Sequence, residues 1–337
     1  MHKEIFPVIS EDKTKEADGA SFFEENVKPI REFKNAHIIQ AEQFNPANLE
    51  VLFHEAGNME SLGRKKIDLL SDFTLATLFY EASTRTRLSF ETAMHNLKGD
   101  VITESNVQFS SRIKGETLED TIRIVSNYAE VIALRHERIG AAKIAAEFAG
   151  VPIINAGDGA GQHPTQAFLD VYTINKEINR LEDFTISFIG DLRYGRTVHS
   201  LTYLLSLYPN VKMHFVAPKI LGLPKGIKEY LKAAKISFSQ NDRLDDQTYR
   251  SDVVYVTRVQ KERFTDPNDN EYEQIKAAYW LPANFPLKSE ARILHPFPRN
   301  EEIPQEIDKY SQAAYFRQSA NGVPIRMALL KLVLLGN

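Results

Sequence analysis

Thr74-Leu75-Ala76-Thr77-Leu78-Phe79-Tyr80 is an apolar run, and the polar cluster Ser83-Thr84-Arg85-Thr86-Arg87 begins three residues after it. Apolar residues then recur with the spacing of a helix, at Phe90, Ala93, Met94 and Leu97. The pattern predicts a buried strand, a turn rich in hydroxyl and guanidinium groups, and a helix that begins at that turn. A strand that leads into a helix is the repeating unit of a parallel α/β sheet.

The turn at Ser83–Arg87 has the chemistry of an anion site. The first N–H groups of a helix lack partners within the helix, and the helix dipole is positive at that end. Three hydroxyl groups and two guanidinium groups at the same place would hold a phosphate by charge-assisted hydrogen bonds. The same residues also fit an ordinary Ser/Thr N-cap with surface arginines, so both interpretations remain open at this point.

The rest of the chain alternates between apolar runs and helical stretches. Strands are predicted at 75–80, 100–104, 131–135, 151–155, 184–190, 212–217, 252–257 and 291–295. Helices are predicted at 86–98, 117–129, 141–149, 164–179, 197–208, 223–235 and 321–335. Strands separated by such helices predict parallel sheets with helices on both faces. We therefore expect an α/β fold with two doubly wound parallel-sheet domains and the active site in the cleft between them.

Two segments indicate where the domains begin and end. Residues 1–35 are polar and acidic and lack strong periodicity, which predicts a flexible N-terminal extension. The helix predicted from Pro164 has a proline in its first turn and ends in the polar run 175–180. The next strand opens a new series, so the domain boundary is expected near 164–182.

Composition excludes several classes of protein. The chain has 337 residues, a net charge of −4 and no cysteine. This charge argues against a general nucleic-acid partner, and the lack of cysteine excludes disulfides, a thiolate nucleophile and cysteine-bound zinc. No apolar run approaches the roughly 18–20 residues that span a membrane, and the N-terminal stretch has no signal-peptide core. We expect a cytoplasmic protein without a membrane partner.

Polar side chains recur directly after the predicted strands. In an open α/β sheet the carboxyl ends of the strands form the ligand site. Six such junctions indicate a single cleft that is rich in arginine. They hold Ser83–Thr86, Arg135-His136, the loop from Gly157 to Gln166, the loop from Gly190 to Thr197, Thr257–Gln260 and His295–Arg299.

Each of these residues also has an ordinary structural explanation. Arg135 could be a surface residue paired with an acid, and His163 could be a structural histidine. Arg196 could be only a first-turn residue, although the helix dipole disfavours a cation there and so favours an anionic partner. The loop 110–116 could be a solvated surface loop, and the Pro296 turn could be merely rigid.

The chain lacks the patterns of several other chemistries. Residues 190–195 do not have the G-x-G-x-x-G spacing of a dinucleotide loop. No paired carboxylates, metal-ligand spacing or G-x-S-x-G elbow is present, so we expect neither a cofactor nor a metal. The remaining chemistry is group transfer between anionic substrates, in which positioning and oxyanion stabilisation supply the catalysis.

Seven motifs together resemble the aspartate/ornithine carbamoyltransferase family, and its aspartate branch in particular, from about residue 36 to the end. The motifs are Phe79–Arg87, Lys114-Gly115-Glu116, Arg135-His136, His163-Pro164-Thr165-Gln166, Tyr194-Gly195-Arg196-Thr197, Thr257–Arg263 and His295–Arg299. The resemblance implies transfer of a carbamoyl group from carbamoyl phosphate to L-aspartate, an early step of pyrimidine synthesis. In the mechanism that the resemblance implies, the neutral amine would attack directly and domain closure would complete the site.

The resemblance also implies a role for each site residue. The phosphate would bind Ser83, Thr84, Arg85, Thr86 and Arg135. The carbamoyl oxygen would be polarised by Thr86, Arg135 and His163. The carbamoyl NH₂ would donate to Gln166 and to the carbonyls around Pro296 and Phe297.

Aspartate would occupy a second set of residues. Its α-carboxylate would bind Arg196, and its side-chain carboxylate would bind Arg258 and Gln260. Ser110 and Lys114 would come from the neighbouring subunit of a homotrimer, with Lys114 also contacting aspartate.

The family organisation implies domains whose bounds can be stated. Residues 36–165 would bind carbamoyl phosphate, with helix 318–337 completing that domain, and residues 166–317 would bind aspartate. Separate regulatory chains and a higher assembly are left open.

Two rival interpretations predict different residues. An ornithine-specific relative would not need the arginine–glutamine pair Arg258/Gln260, and its late motif usually carries a cysteine, which this chain lacks. A non-catalytic relative would lack Arg85, Arg135 or His163, which are all present.

Ala82 and Phe297 depart from the proline and leucine that are common in the family, and neither change removes a ligand side chain.

Overall fold

The computed structural model describes residues 27, 29–105, 111–259 and 279–337, and these form two compact units. The first unit holds the described residues up to Leu181, together with Arg196–Tyr208 and Phe316–Asn337. The second unit holds Glu182–Gly195 and the described residues of Pro209–Tyr315.

The first unit contains a four-stranded parallel sheet in the order β2-β1-β3-β4. Its strands are β1 (Thr74–Phe79), β2 (Asp100–Glu104), β3 (Val131–His136) and β4 (Ile153–Asp158). Its helices are α1 (Pro46–Ser61), α2 (Thr84–Asn96), α3 (Leu118–Val125), α4 (Ala141–Phe148), α5 (Pro164–Ile178) and α6 (Arg196–Ser206). The helical residues from Phe316 onward also belong to this unit. All residues of β3 and β4 are buried, as expected for strands covered on both faces.

The second unit contains a five-stranded parallel sheet in the order β7-β6-β5-β8-β9. Its strands are β5 (Thr185–Ile189), β6 (Lys212–Val216), β7 (Phe238–Asn241), β8 (Val253–Val256) and β9 (Arg292–Leu294). Its helices are α7 (Lys225–Ala233) and α8 (Asp246–Tyr249). Two parallel-sheet units confirm the predicted doubly wound α/β class.

The C-terminal segment belongs to the first unit from Phe316 onward. It forms α9 (Tyr315–Ala320) and α10 (Gly322–Leu335), and α10 packs against α1, α2 and α5. Eleven of the fourteen residues of α10 are buried, so this helix lies inside the unit rather than on its surface.

The division of the chain lies at the end of the expected boundary region 164–182, and after the 165/166 bound that the family organisation implies. It falls after α5, between Leu181 and Glu182, because α5 packs on β4 and on α10. Helix α6 returns to the first unit, where it packs on α5, although it follows a strand of the second sheet.

Several elements were absent from the sequence prediction, among them α1, β7 and α8. Helix α1 begins with a capping box in which Asn45 accepts from the Asn48 N–H at 2.9 Å and the Asn48 side chain accepts in return. Strand β7 is a partly exposed edge strand, so it lacks the continuous apolar run of its neighbours. Within the described part of the chain, no helix is long and apolar enough to cross a membrane.

Candidate active site

The polar cluster lies where β1 ends and α2 begins, as predicted. Ser83 has extended backbone geometry at the N-cap position, but its side chain makes no capping hydrogen bond. The ordinary N-cap explanation therefore does not account for this hydroxyl. Thr84 and Arg85 are exposed and Thr86 is buried in the first turn, where helix N–H groups and side chains can both meet an anion.

Arg135 lies at the end of β3, next to Phe79 of β1 in the parallel register. Its side chain is 9% exposed, Nη2 donates to Glu81 Oε1 at 2.8 Å, and Nη1 donates to the Ala156 carbonyl at 3.3 Å. Its Nε is buried and has no hydrogen-bond partner among the described residues. Burial, followed by the charge of Arg196, lowers the pKa of Arg135 to about 9, so an anion bound here would relieve an unfavourable positive charge.

Arg196, the first residue of α6, shares the same carboxylate. Its Nη1 and Nη2 each donate to Glu81 at 2.8 Å, and Nη1 also donates to the Gly159 carbonyl at 2.6 Å. Glu81 is thus one anionic partner of Arg196 at its first-turn position. Burial raises the pKa of Glu81, but the bonds from Arg196 and Arg135 outweigh it and hold that pKa below its usual value.

Gly157 is the point at which three predicted site residues converge. Its φ is +118°, and a Cβ built there would lie 3.0 Å from Arg135 Nη1, 3.2 Å from Arg196 Cζ and 3.3 Å from His163 Cδ2. A glycine is therefore required both by the backbone and by the space. The structure brings Arg135, Arg196 and His163 together around the end of β4.

His163 is the N-cap residue of α5 and is 4% exposed. Its backbone N–H donates to Ser200 Oγ at 3.0 Å, and Thr165 Oγ1 lies 3.5 Å from its Nδ1. Burial, together with the charges of Arg196 and Arg135, lowers the pKa of His163 well below its usual value of 6.5. The imidazole is therefore neutral near pH 7, and a neutral imidazole can donate one hydrogen bond without carrying a charge.

Gln166 lies in the first turn of α5, directly after Thr165. Its Nε2 donates to Asp170 Oδ1 at 2.8 Å. A carboxylate can only accept, so the amide nitrogen faces Asp170 and the amide oxygen is directed elsewhere. Among the described residues, that oxygen has no hydrogen-bond partner.

The second unit places its predicted residues at the carboxyl ends of its own strands. Gly190 follows β5 with φ +109°, and a Cβ there would lie 2.2 Å from the Thr257 carbonyl oxygen. This close approach fixes the segment that follows β8, where Arg258 is half-buried. After β9, Phe297 has φ +58°, and its N–H donates to His295 Nδ1 at 2.8 Å. The Pro296–Phe297 turn is thereby held in an uncommon conformation.

Of the three residues expected from a neighbouring subunit or in the aspartate pocket, only Lys114 is described by the structure. Lys114 ends an exposed 3₁₀ turn, Ser111–Lys114, and its ammonium has no ion-pair partner within the described ranges. Ser110 and Gln260 lie outside the described residues.

Sequence patterns did not reveal two acidic residues of this region, Glu81 and Asp170. The pairing of Glu81 with Arg135 and Arg196 joins residues 54 and 115 positions apart, so no local pattern marks it. Asp170 is four residues after Gln166 on one helix, a spacing that could have indicated the contact. No group of three or more His, Asp or Glu residues with metal-ligand geometry occurs in the part of the chain that is described.

Two family models match the chain. The carbamoyl-phosphate-binding domain of aspartate/ornithine carbamoyltransferases matches residues 36–176, and the Asp/Orn-binding domain of the same family matches residues 182–333. The chain belongs to the aspartate/ornithine carbamoyltransferase family and is a carbamoyltransferase.

Individual relatives agree with this assignment. The aspartate carbamoyltransferase catalytic subunit of Methanocaldococcus jannaschii is 51% identical over 303 residues, which cover 89% of this chain and 98% of that protein. A crystal form of the M. jannaschii catalytic subunit has a TM-score of 0.83 at 52% identity and covers 88% of this chain and 97% of its own. Aspartate transcarbamoylase from Trypanosoma cruzi in complex with carbamoyl phosphate and aspartate has a TM-score of 0.85 at 38% identity, over 92% of this chain and 100% of that one.

Proposed function

We propose that this chain transfers the carbamoyl group of carbamoyl phosphate to L-aspartate, giving N-carbamoyl-L-aspartate and phosphate. The observation that carries the proposal is the convergence of Arg135, Arg196 and His163 around Gly157. Two cations and a neutral imidazole at one place suit a substrate that has a phosphate beside a carbonyl group. The names of the relatives, all aspartate carbamoyltransferases, favour aspartate as the acceptor.

Carbamoyl phosphate is assigned to the first unit. Ser83, Thr84, Arg85 and Thr86 bind the phosphate at the start of α2, together with Arg135. This assignment is supported by the uncapped Ser83 hydroxyl and by the unpartnered Nε of Arg135. Gln166 accepts a hydrogen bond from the carbamoyl NH₂, as do the carbonyls of Pro296 and Phe297.

The reaction proceeds by direct attack. The neutral amine of aspartate forms a bond to the carbamoyl carbon, and negative charge develops on the carbamoyl oxygen. Thr86, Arg135 and His163 donate to that oxygen, and such preorganised donors stabilise the tetrahedral intermediate. The C–O bond to phosphate then breaks, and the departing phosphate accepts the amine proton. The low pKa of His163 keeps it a neutral donor in this step.

Aspartate is assigned to three further residues. Arg196 binds its α-carboxylate, with Glu81 holding the guanidinium in place, while Arg258 and Gln260 bind its side-chain carboxylate. A cationic ornithine side chain would be repelled by Arg258. Lys114 and Ser110 are proposed to reach the site from the neighbouring subunit of a homotrimer. A role in pyrimidine synthesis and a cytoplasmic location complete the proposal.

A steady-state assay of the purified chain with carbamoyl phosphate and either L-aspartate or L-ornithine tests this function. Product formation with aspartate alone is expected, and Arg258→Ala should raise the KM for aspartate while leaving carbamoyl phosphate binding unchanged. Turnover with ornithine would contradict the acceptor assignment. Absence of turnover with either amine, from folded protein that is trimeric by light scattering, would contradict the proposal as a whole.

A further inference from the structure

Asp170 is a buried carboxylate to which the reaction described above gives no role. It is fully buried on α5, and its Oδ1 accepts from Gln166 Nε2 at 2.8 Å and from Gln318 Nε2 at 2.6 Å. Gln318 belongs to α9 and is itself 1% exposed. A charge in such a place is costly unless it is paired and hydrogen-bonded, so its presence calls for an explanation.

Arg326 on α10 carries an opposite charge that interacts with Asp170. Arg326 is 2% exposed, its Nη1 donates to the Gly322 carbonyl at 3.0 Å, and its guanidinium lies 5.0 Å over the Phe90 ring of α2. Burial lowers the pKa of Arg326 to about 10, while attraction to Asp170 opposes that change. Asp170 Oδ1 accepts from two amide nitrogens in this low-dielectric surrounding, where its preference for donors is strong.

We propose that Asp170 is a positioning residue that makes the protein select an amino group at the carbamoyl end of its acyl phosphate substrate. A carboxylate forces the Gln166 amide to present its NH₂ inward and its oxygen outward. The outward oxygen is an acceptor, so it binds the NH₂ of carbamoyl phosphate and gains nothing from a methyl group. This inference rests on the proposed function, because it takes Gln166 to contact the carbamoyl NH₂.

Acetyl phosphate provides the direct comparison, since it carries a methyl group where carbamoyl phosphate carries NH₂. An unsatisfied polar contact costs about 1–3 kcal/mol, so the unmodified protein should bind carbamoyl phosphate roughly tenfold or more tightly than acetyl phosphate. In Asp170→Asn the Gln166 amide can rotate, which turns a donor toward the substrate NH₂. Carbamoyl phosphate binding should weaken about tenfold, while acetyl phosphate and inorganic phosphate binding change less than about twofold.

Thr173→Val is a matched control on the same helix. Thr173 is also fully buried, and its Oγ1 accepts from Asn321 Nδ2 at 2.8 Å. This variant removes a buried contact between the same parts of the first unit without touching Gln166. It should leave the preference for carbamoyl phosphate over acetyl phosphate intact.

The measurement is titration calorimetry of full-length protein with the three ligands, for Asp170→Asn, Gln166→Ala and the double variant. If Asp170 acts through Gln166, the double variant should lose no more selectivity than Gln166→Ala alone. Should Asp170→Asn not fold, Asp170→Asn combined with Arg326→Met removes both buried charges and carries the same expectation.

The outcomes separate this inference from the proposed function. Equal weakening of all three ligands, retained selectivity in folded Asp170→Asn, or additive losses in the double variant would overturn the positioning role alone. An unmodified protein that does not prefer carbamoyl phosphate would overturn the substrate assignment, and the positioning role with it.

Discussion

Replacement of Gly157 by alanine tests how the site is assembled. The added methyl would lie 3.0–3.3 Å from atoms of Arg135, Arg196 and His163, which is closer than ordinary van der Waals contact. Both arginines are held by hydrogen bonds to Glu81 and to backbone carbonyls, so neither can withdraw freely. The three side chains must therefore shift by a few tenths of an ångström.

The Gly157→Ala substitution should affect both the stability of the protein and its catalytic rate. Alanine at φ +118° costs about 1–3 kcal/mol of unfolding free energy through backbone strain. A displacement of about 1 Å among positioned groups lowers the rate about 100-fold, so shifts of a few tenths should lower kcat/KM roughly 10- to 100-fold. That loss corresponds to about 1.4–2.7 kcal/mol of transition-state stabilisation.

Gly63→Ala is the matched control. Gly63 has φ +60°, and no atom of the described residues lies within 4 Å of the position that a Cβ would take, so alanine there is strained but meets none of them. Urea unfolding should show destabilisation in both variants, whereas steady-state kinetics should show a loss of kcat/KM only in Gly157→Ala. Equal kcat/KM in the two variants, at matched concentrations of folded enzyme, would refute the argument that Gly157 sets the geometry of the site.

Glu81→Gln should lower the free energy of unfolding by about 1–3 kcal/mol, because the guanidinium groups of two arginines lose the carboxylate that they share. That carboxylate is one-third exposed, so solvent screening limits the loss. An unchanged urea midpoint would contradict this prediction. Below pH 6.5 the unfolded chain protonates His163 while the native chain does not, so stability should fall as the pH drops. His163→Asn should reduce that slope by up to about 1.4 kcal/mol per pH unit in urea titrations, and an identical slope would oppose the buried neutral state. Mixed trimers of Lys114→Ala and Arg85→Ala chains should regain part of the activity, and no recovery in verified mixed trimers would exclude shared sites.

The sequence pattern predicted the fold best where strands are buried on both faces. The strands β1 and β3 contain apolar runs, so their positions follow from the pattern, whereas β4 is apolar mainly at Ile153-Ile154 and extends beyond the predicted strand 151–155. Strand β7 lies partly exposed at a sheet edge, and its run of four residues is too short and polar to stand out. Helix α1 carries a clear start signal at Asn45-Pro46, and its buried residues Leu49, Leu52, Phe53, Ala56 and Met59 have helical spacing, so this helix could have been predicted from the pattern.

Only part of the candidate site could be predicted from the sequence. Its cations follow strand ends, where the geometry of parallel sheets gathers side chains, and the structure places Arg135, Arg196 and His163 together. Glu81 could not be assigned in this way, because its partners come from a neighbouring strand and from α6. The return of α6 to the first unit is a long-range property that no local spacing encodes.

The position of α10 has a consequence for synthesis on the ribosome. This helix packs against α1, α2 and α5, yet in the chain it follows the residues of the second unit. Until it emerges, the apolar faces that it covers remain open to solvent, and such surfaces promote aggregation. Folding of the first unit is therefore completed only after the second unit has been translated, and nascent chains stopped before residue 322 should depend on chaperones to remain dispersed.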